Sequence, residues 1–198
     1  QESLGKHLNA LGLCKGHITL SQLTGGQSNP TFKISNGNSH YVLRKKPSGI
    51  LLPSAHAVDR EYRVMKALAA TDVPVPQMLA YCDDESIIGT AFFIMEYLNG
   101  RVFADQSLPG LEASERQQIY EQMNHTISAI HRLDYVSLGL ETFGKPGNYF
   151  ARQIARWSRQ VREANIAIPE SLNKLMDWLP EHIPAEDETS LIHGDFRM

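Results

Sequence analysis

The sequence predicts an α+β fold: an N-terminal antiparallel five-stranded sheet with one helix, then a mostly helical C-terminal half. Three observations carry that expectation. Alternating runs flank Asn36-Gly37-Asn38, the turn chemistry of a β-hairpin. Val58, Tyr62, Met65 and Ala69 form an apolar stripe at helical spacing within residues 55–70. From Asn99 onward, helical patterns and long loops replace the strands, which puts a domain boundary near Leu98.

In chain order, residues 2–13 read as a short amphipathic helix carrying Leu4, Leu8, Leu11 and Leu13. Strands follow at Ile18-Thr19-Leu20, at Thr31-Phe32-Lys33-Ile34 and at His40-Tyr41-Val42-Leu43-Arg44. Between the first two lies Gly25-Gly26-Gln27-Ser28-Asn29, a turn that either only reverses the chain or brings backbone N–H groups close to phosphate. Glu61 sits on the flank of the 55–70 stripe. A carboxylate pressed towards a core needs a cation, since burying it unpaired is costly. Arg44 can serve, or Glu61 forms a surface pair with Arg60, Lys66 or water.

Val73-Pro74-Val75-Pro76 is a stiff extended connector. Met78-Leu79-Ala80-Tyr81 and Ala91-Phe92-Phe93-Ile94-Met95 are the last two strands, joined by a polar turn at Asp83-Asp84-Glu85-Ser86. In the second half, Ser114-Glu115-Arg116-Gln117 has capping-box form and opens a helix with Ile119, Met123, Ile127 and Ile130 inward. His131 closes it, as a packing residue or a C-terminal cap. Helices follow at 149–164 and 170–179, with Trp157 and Trp178 read as core or groove-lining residues.

Composition narrows the class. With 19 basic and 22 acidic residues the net charge is −3, and 42% of the chain is hydrophobic. The longest basic run, Arg44-Lys45-Lys46, is too short for a nucleic-acid patch. No stretch approaches the ~20 apolar residues that span a bilayer. Cys14 and Cys82 lack metal-ligand spacing and read as thiols of a reducing compartment. The expectation is a cytoplasmic protein that binds neither nucleic acid nor membrane, of undetermined oligomeric state.

The chemistry concentrates at His193-Gly194-Asp195, on a tight turn after Leu191-Ile192. A carboxylate held there can accept a proton from a substrate hydroxyl, as phosphoryl transfer to an alcohol requires. The same three residues also fit a surface turn in which the acid bonds its own backbone. The sequence ends at Met198 directly after this turn, and we expect the protein to continue.

Taken in order, Tyr41-Val42-Leu43-Arg44, Asp59-Arg60-Glu61-Tyr62, the run from Phe93 to Gly100, Ala129-Ile130-His131 and His193-Gly194-Asp195 resemble the aminoglycoside phosphotransferase/choline kinase-like family of the protein-kinase-like superfamily. Residues 51–68 and 72–77 are most similar to the kinase-like domain fused to some acyl-CoA dehydrogenases and to its free-standing bacterial relatives.

The resemblance implies a two-lobe fold, with a nucleotide-binding lobe over residues 1–97 and a partial helical lobe over 98–198. It also implies ATP and Mg2+ as cofactors and a small-molecule hydroxyl as acceptor. A hydroxyacyl metabolite is a better fit to the closer relatives than an antibiotic. Gly25, Gly26, Gln27, Ser28 and Asn29 would cover the phosphates. Arg44, paired with Glu61, would stand where kinases keep a lysine. Met95 would be the gatekeeper, and the backbone of Glu96, Tyr97 and Leu98 the adenine hinge. Asp195 would be the catalytic base, with His193 its structural neighbour. Family members go on to an asparagine and a second acid that bind magnesium. Neither is in this sequence, so the metal residues are none here and the chain alone is expected to be inactive. The alternative is a nucleotide-binding pseudokinase or regulatory module without phosphotransfer.

Overall fold

The computed structural model describes residues 2–23, 29–37, 39–47, 49, 57–185 and 188–197. The chain divides into two compact units, one of residues 1–130 with 193–198, the other of residues 131–192.

The first unit opens with α1 (Glu2–Ala10), followed by β1 (Thr19–Gln22), β2 (Thr31–Asn36), β3 (Ser39–Lys45), α2 (Val58–Leu68), β4 (Met78–Cys82), α3 (Glu85–Ile88), β5 (Phe92–Glu96) and α4 (Ala113–His131), whose last residue falls in the second unit. The five strands form one antiparallel sheet in the order β1-β2-β3-β5-β4. The expected sheet, with a helix between its third and fourth strands, is thus the observed one.

Strand alternation gives the sheet two different faces. Ile34, Leu43, Phe92 and Ile94 point to one of them, where they join Leu4, Leu8, Cys14, Ile18 and Cys82 in the main core. Tyr41 belongs to this side, and its hydroxyl donates to the Leu13 carbonyl at 2.8 Å. On the other face, Arg44 is in register with Phe93 and Val42 with Met95. Helix α2 packs on β4 and β5, with the Tyr62 ring 6.1 Å from that of Phe93. Phe92 and Phe93 are both fully buried although adjacent, because helices cover both sides of β5.

The β2–β3 hairpin closes at Gly37, whose φ of +58° lies in the left-handed region that a tight hairpin turn demands. Asn36 does more than turn the chain. Its amide donates to the carbonyls of Lys15 and His17 at 2.9 and 2.7 Å, which tethers the connector after α1. The polar segment between β4 and β5 is not a simple turn but the one-turn helix α3. Asp84 caps it by accepting from the Ser86 N–H at 2.9 Å, and Gly89 ends it at φ +82°. In α2 the buried terminal residue is Leu68, and Ala69 is exposed.

Helix α4 starts at Ala113, and Glu115 reaches back to accept the N–H of Glu112 at 3.2 Å. The capping carboxylate is therefore Glu115, two residues ahead of the expected frame. Only Ile130 of the expected inward set is buried; the others are half-buried, and His131 is exposed in the last turn.

The second unit holds α5 (Tyr149–Glu163), α6 (Glu170–Trp178) and the 3₁₀ turn Leu179–His182. Leu140 and Met176 are its buried side chains. Trp157 and Trp178 are not core residues here, being 55% and 51% exposed. Instead the Arg156 guanidinium lies 4.9 Å from the Trp157 ring, and His182 stacks on Trp178 at 3.7 Å.

Candidate nucleotide and phosphoryl-transfer site

The centre of the site is one ion pair. Arg44 leaves β3 on the face that α2 covers, and Glu61 comes from the first turn of α2. Arg44 Nε donates to Glu61 Oε2 at 2.5 Å, and Nη2 donates to Oε1 at 3.4 Å. Of the two sequence readings for Glu61, the Arg44 pairing is the one that forms. The side chains are 26% and 34% exposed, so the pair is half-shielded from water.

Two more residues close a ring around this pair. Arg44 Nη1 donates to Thr31 Oγ1 at 3.0 Å, and that hydroxyl donates to the Asn29 carbonyl at 3.0 Å. The Asn29 amide then donates to Glu61 Oε1 at 2.6 Å. Asn29 is 2% exposed. Its side chain is turned inward to the carboxylate rather than presented to a ligand. Thr31 is a site residue that sequence reasoning missed. Its signal was available, since Thr31 faces Arg44 directly in the β2–β3 register.

A guanidinium carries five N–H donors, and these bonds use three. One N–H on each terminal nitrogen is left without a partner among the described residues, a donor that a phosphate oxygen can accept. Lys45 is in register with Phe92 and so belongs to the opposite face. Gly25, Gly26, Gln27 and Ser28 lie outside the described residues.

Met95 is half-buried and in register with Val42 and Met78. The Glu96 N–H donates to the Gln77 carbonyl at 2.9 Å, and the Glu96 carboxylate accepts the Gln77 N–H at 3.0 Å. That N–H is spent on the sheet. Tyr97 is fixed by its ring, with Lys33 Nζ 4.1 Å from the centroid and His40 edge-on at 5.8 Å. Leu98 is 58% exposed, and among the described residues its backbone groups have no hydrogen-bond partner.

The His193-Gly194-Asp195 turn belongs to the same compact unit as Arg44 and Glu61. Gly194 takes φ +81°, and a Cβ built there would meet nothing within 4 Å. The Asp195 N–H donates to His193 Nδ1 at 3.4 Å, and Phe196 meets the His193 ring edge-on at 5.5 Å. Phe196 also lines an open groove with Arg101, Ile119, Met123 and Thr126, which ties the turn to α4. The Asp195 carboxylate is exposed and paired with Arg197 at 3.5 Å. An exposed pair of this kind contributes at most about 1 kcal/mol, so the carboxylate stays available.

The profile of the phosphotransferase enzyme family (APH) matches residues 19–198. The chain belongs to that family. It is 48% identical over its whole length to mouse acyl-CoA dehydrogenase family member 10, and 43% identical over 98% of its length to human acyl-CoA dehydrogenase family member 11. These matches span 19% and 25% of the relatives' own lengths. Among solved structures, a candidate aminoglycoside phosphotransferase from Ralstonia eutropha is 48% identical and superposes with a TM-score of 0.86. That match covers 98% of this chain and 57% of the other. The protein-kinase-like fold follows from this likeness.

Among the described residues, one N–H on each terminal nitrogen of Arg44 and the backbone groups of Leu98 have no hydrogen-bond partner. No group of three or more His, Cys, Asp or Glu among the described residues could hold a metal ion. No helix among them is long and apolar enough to cross a membrane.

Proposed function

We propose that this chain is the nucleotide-binding part of a cytoplasmic ATP-dependent phosphotransferase acting on the hydroxyl of a small molecule. The observation that carries the reading is the Arg44–Glu61 pair, a strand cation held by a helix carboxylate with one N–H on each terminal nitrogen left over among the described residues. The functional lobes divide at residues 97 and 98. Arg44 grips phosphate oxygens, Leu98 offers its backbone to the adenine edge, and Met95 bounds the purine. Bound ATP would supply the γ-phosphoryl group. Asp195 orients the acceptor hydroxyl and takes its proton on a carboxylate oxygen, while His193 holds the turn through the Asp195 N–H.

The names of the relatives, acyl-CoA dehydrogenase family members, favour a hydroxyacyl thioester as acceptor over an antibiotic. The test is 31P NMR of the full-length protein with ATP and a hydroxyacyl thioester. A new phosphate-ester signal that Asp195→Asn abolishes supports the reading, and a signal unchanged in the variant contradicts it.

A second reading, a nucleotide-binding pseudokinase or regulatory module, draws on one observation: the cation that Glu61 holds is Arg44 rather than a lysine. Nucleotide binding without any ester signal across hydroxy acceptors would favour it.

A further inference from the structure

We propose that Asn29 is a positioning residue that sets the aim of Arg44, acting through Glu61 and Thr31 rather than on the phosphates themselves. The inference rests on the nucleotide-site reading above and deepens it. Among the described residues of the first unit, Asn29 is the most buried polar side chain at 2% exposure, and burying a carboxamide is costly unless it is bonded. Its amide gives that bond to Glu61 Oε1 at 2.6 Å, the oxygen that Arg44 reaches only weakly at 3.4 Å. Glu61 Oε2 is thereby left to the strong contact with Arg44 Nε at 2.5 Å.

The carboxylate is thus held at both oxygens by different residues, which fixes its rotation about the last side-chain bond. A guanidinium is planar, so fixing the carboxylate plane fixes the guanidinium edge opposite it. Thr31 supplies the second constraint. It accepts from Arg44 Nη1 at 3.0 Å and donates its own hydroxyl to the Asn29 carbonyl at 3.0 Å. Asn29 therefore holds both ends of the ring, the carboxylate with its side chain and the threonine with its backbone. Its position, directly after residues 24–28, makes it the point where the Gly-rich segment is joined to β2 and α2.

The experiment is calorimetric titration of the full-length parent, Asn29→Ala, Thr31→Val, Arg44→Ala and the double variant Asn29→Ala with Arg44→Ala, each with ATP, ADP and adenosine. The expected result is about ten-fold weaker ATP and ADP binding in Asn29→Ala, a smaller loss of the same kind in Thr31→Val, and adenosine binding unchanged in both. The double variant should bind ATP no more weakly than Arg44→Ala alone, because Asn29 acts through that residue. Equal losses for ATP and adenosine, additive losses in the double variant, or unchanged ATP binding would each overturn the positioning role while leaving the nucleotide site standing. A parent that binds no ATP overturns the nucleotide reading and this inference with it.

Discussion

Arg44 and Glu61 meet where β3 faces α2, and they meet edge to edge: the Nε/Nη2 side of the guanidinium lies on the carboxylate. A lysine could neutralise the same carboxylate but has no second edge to offer. Arg44→Ala should weaken ATP binding about 10- to 100-fold, the size of a lost charge-assisted contact. Folding stability should fall by only about 1–2 kcal/mol, because Glu61 keeps the Asn29 amide and partial access to water. Arg44→Lys should recover stability better than affinity. Calorimetry and thermal melts on the three proteins check both halves.

Gly194 holds the acid turn in a left-handed conformation with open space around it. Gly194→Ala should therefore cost about 1–2 kcal/mol, felt locally at the turn rather than as a clash. Phosphoryl transfer should fall with ATP affinity unchanged, and Gly194→Asn should be milder since asparagine tolerates this conformation. Initial rates and titrations on the two variants separate these effects.

The core prediction concerns Phe92, fully buried on the sheet face away from Arg44. Phe92→Ala should destabilise the fold by about 3–5 kcal/mol through a cavity against Leu4 and Leu8. Below its melting point the variant should bind ATP as the parent does, because the change lies on the other face. Denaturant unfolding and titration measure both.

Cys14 is 3% exposed, and burial pushes its thiol pKa up. It should resist alkylation in the native protein and react at the free-thiol rate once unfolded. The shift also has a sign for stability. The folded pKa lies above the unfolded one, so its contribution is intact below the ordinary thiol range and is lost as pH rises through it. Cys14→Ser or Cys14→Ala should flatten that alkaline decline in a pH series of unfolding curves.

The sheet was legible in the sequence because each strand carries its alternation and the Asn-Gly turn fixes the hairpin. The Arg44–Glu61 pair was legible as one of two choices, since periodicity placed Glu61 on a flank and only packing decides which cation it meets. Other features were not. Helix α3 is a single turn, too short for any period to show, and its stop is a lone left-handed Gly89. Asn36 looked like turn chemistry alone, because its bonds run to Lys15 and His17, about twenty positions earlier. Asn29 read as part of the Gly-rich turn, whereas its burial comes from α2, which arrives from outside the turn. Trp157 and Trp178 read as core or groove-lining residues, and the structure leaves both more than half exposed.

The most direct measurement is a calorimetric titration of ATP into the full-length protein beside its Arg44→Ala variant. The parent should bind ATP in the micromolar to millimolar range and the variant about 10- to 100-fold more weakly, with adenosine binding equal in both. Equal ATP affinity in the two proteins, or none in the parent, would contradict the assignment of the Arg44–Glu61 pair as a phosphate grip.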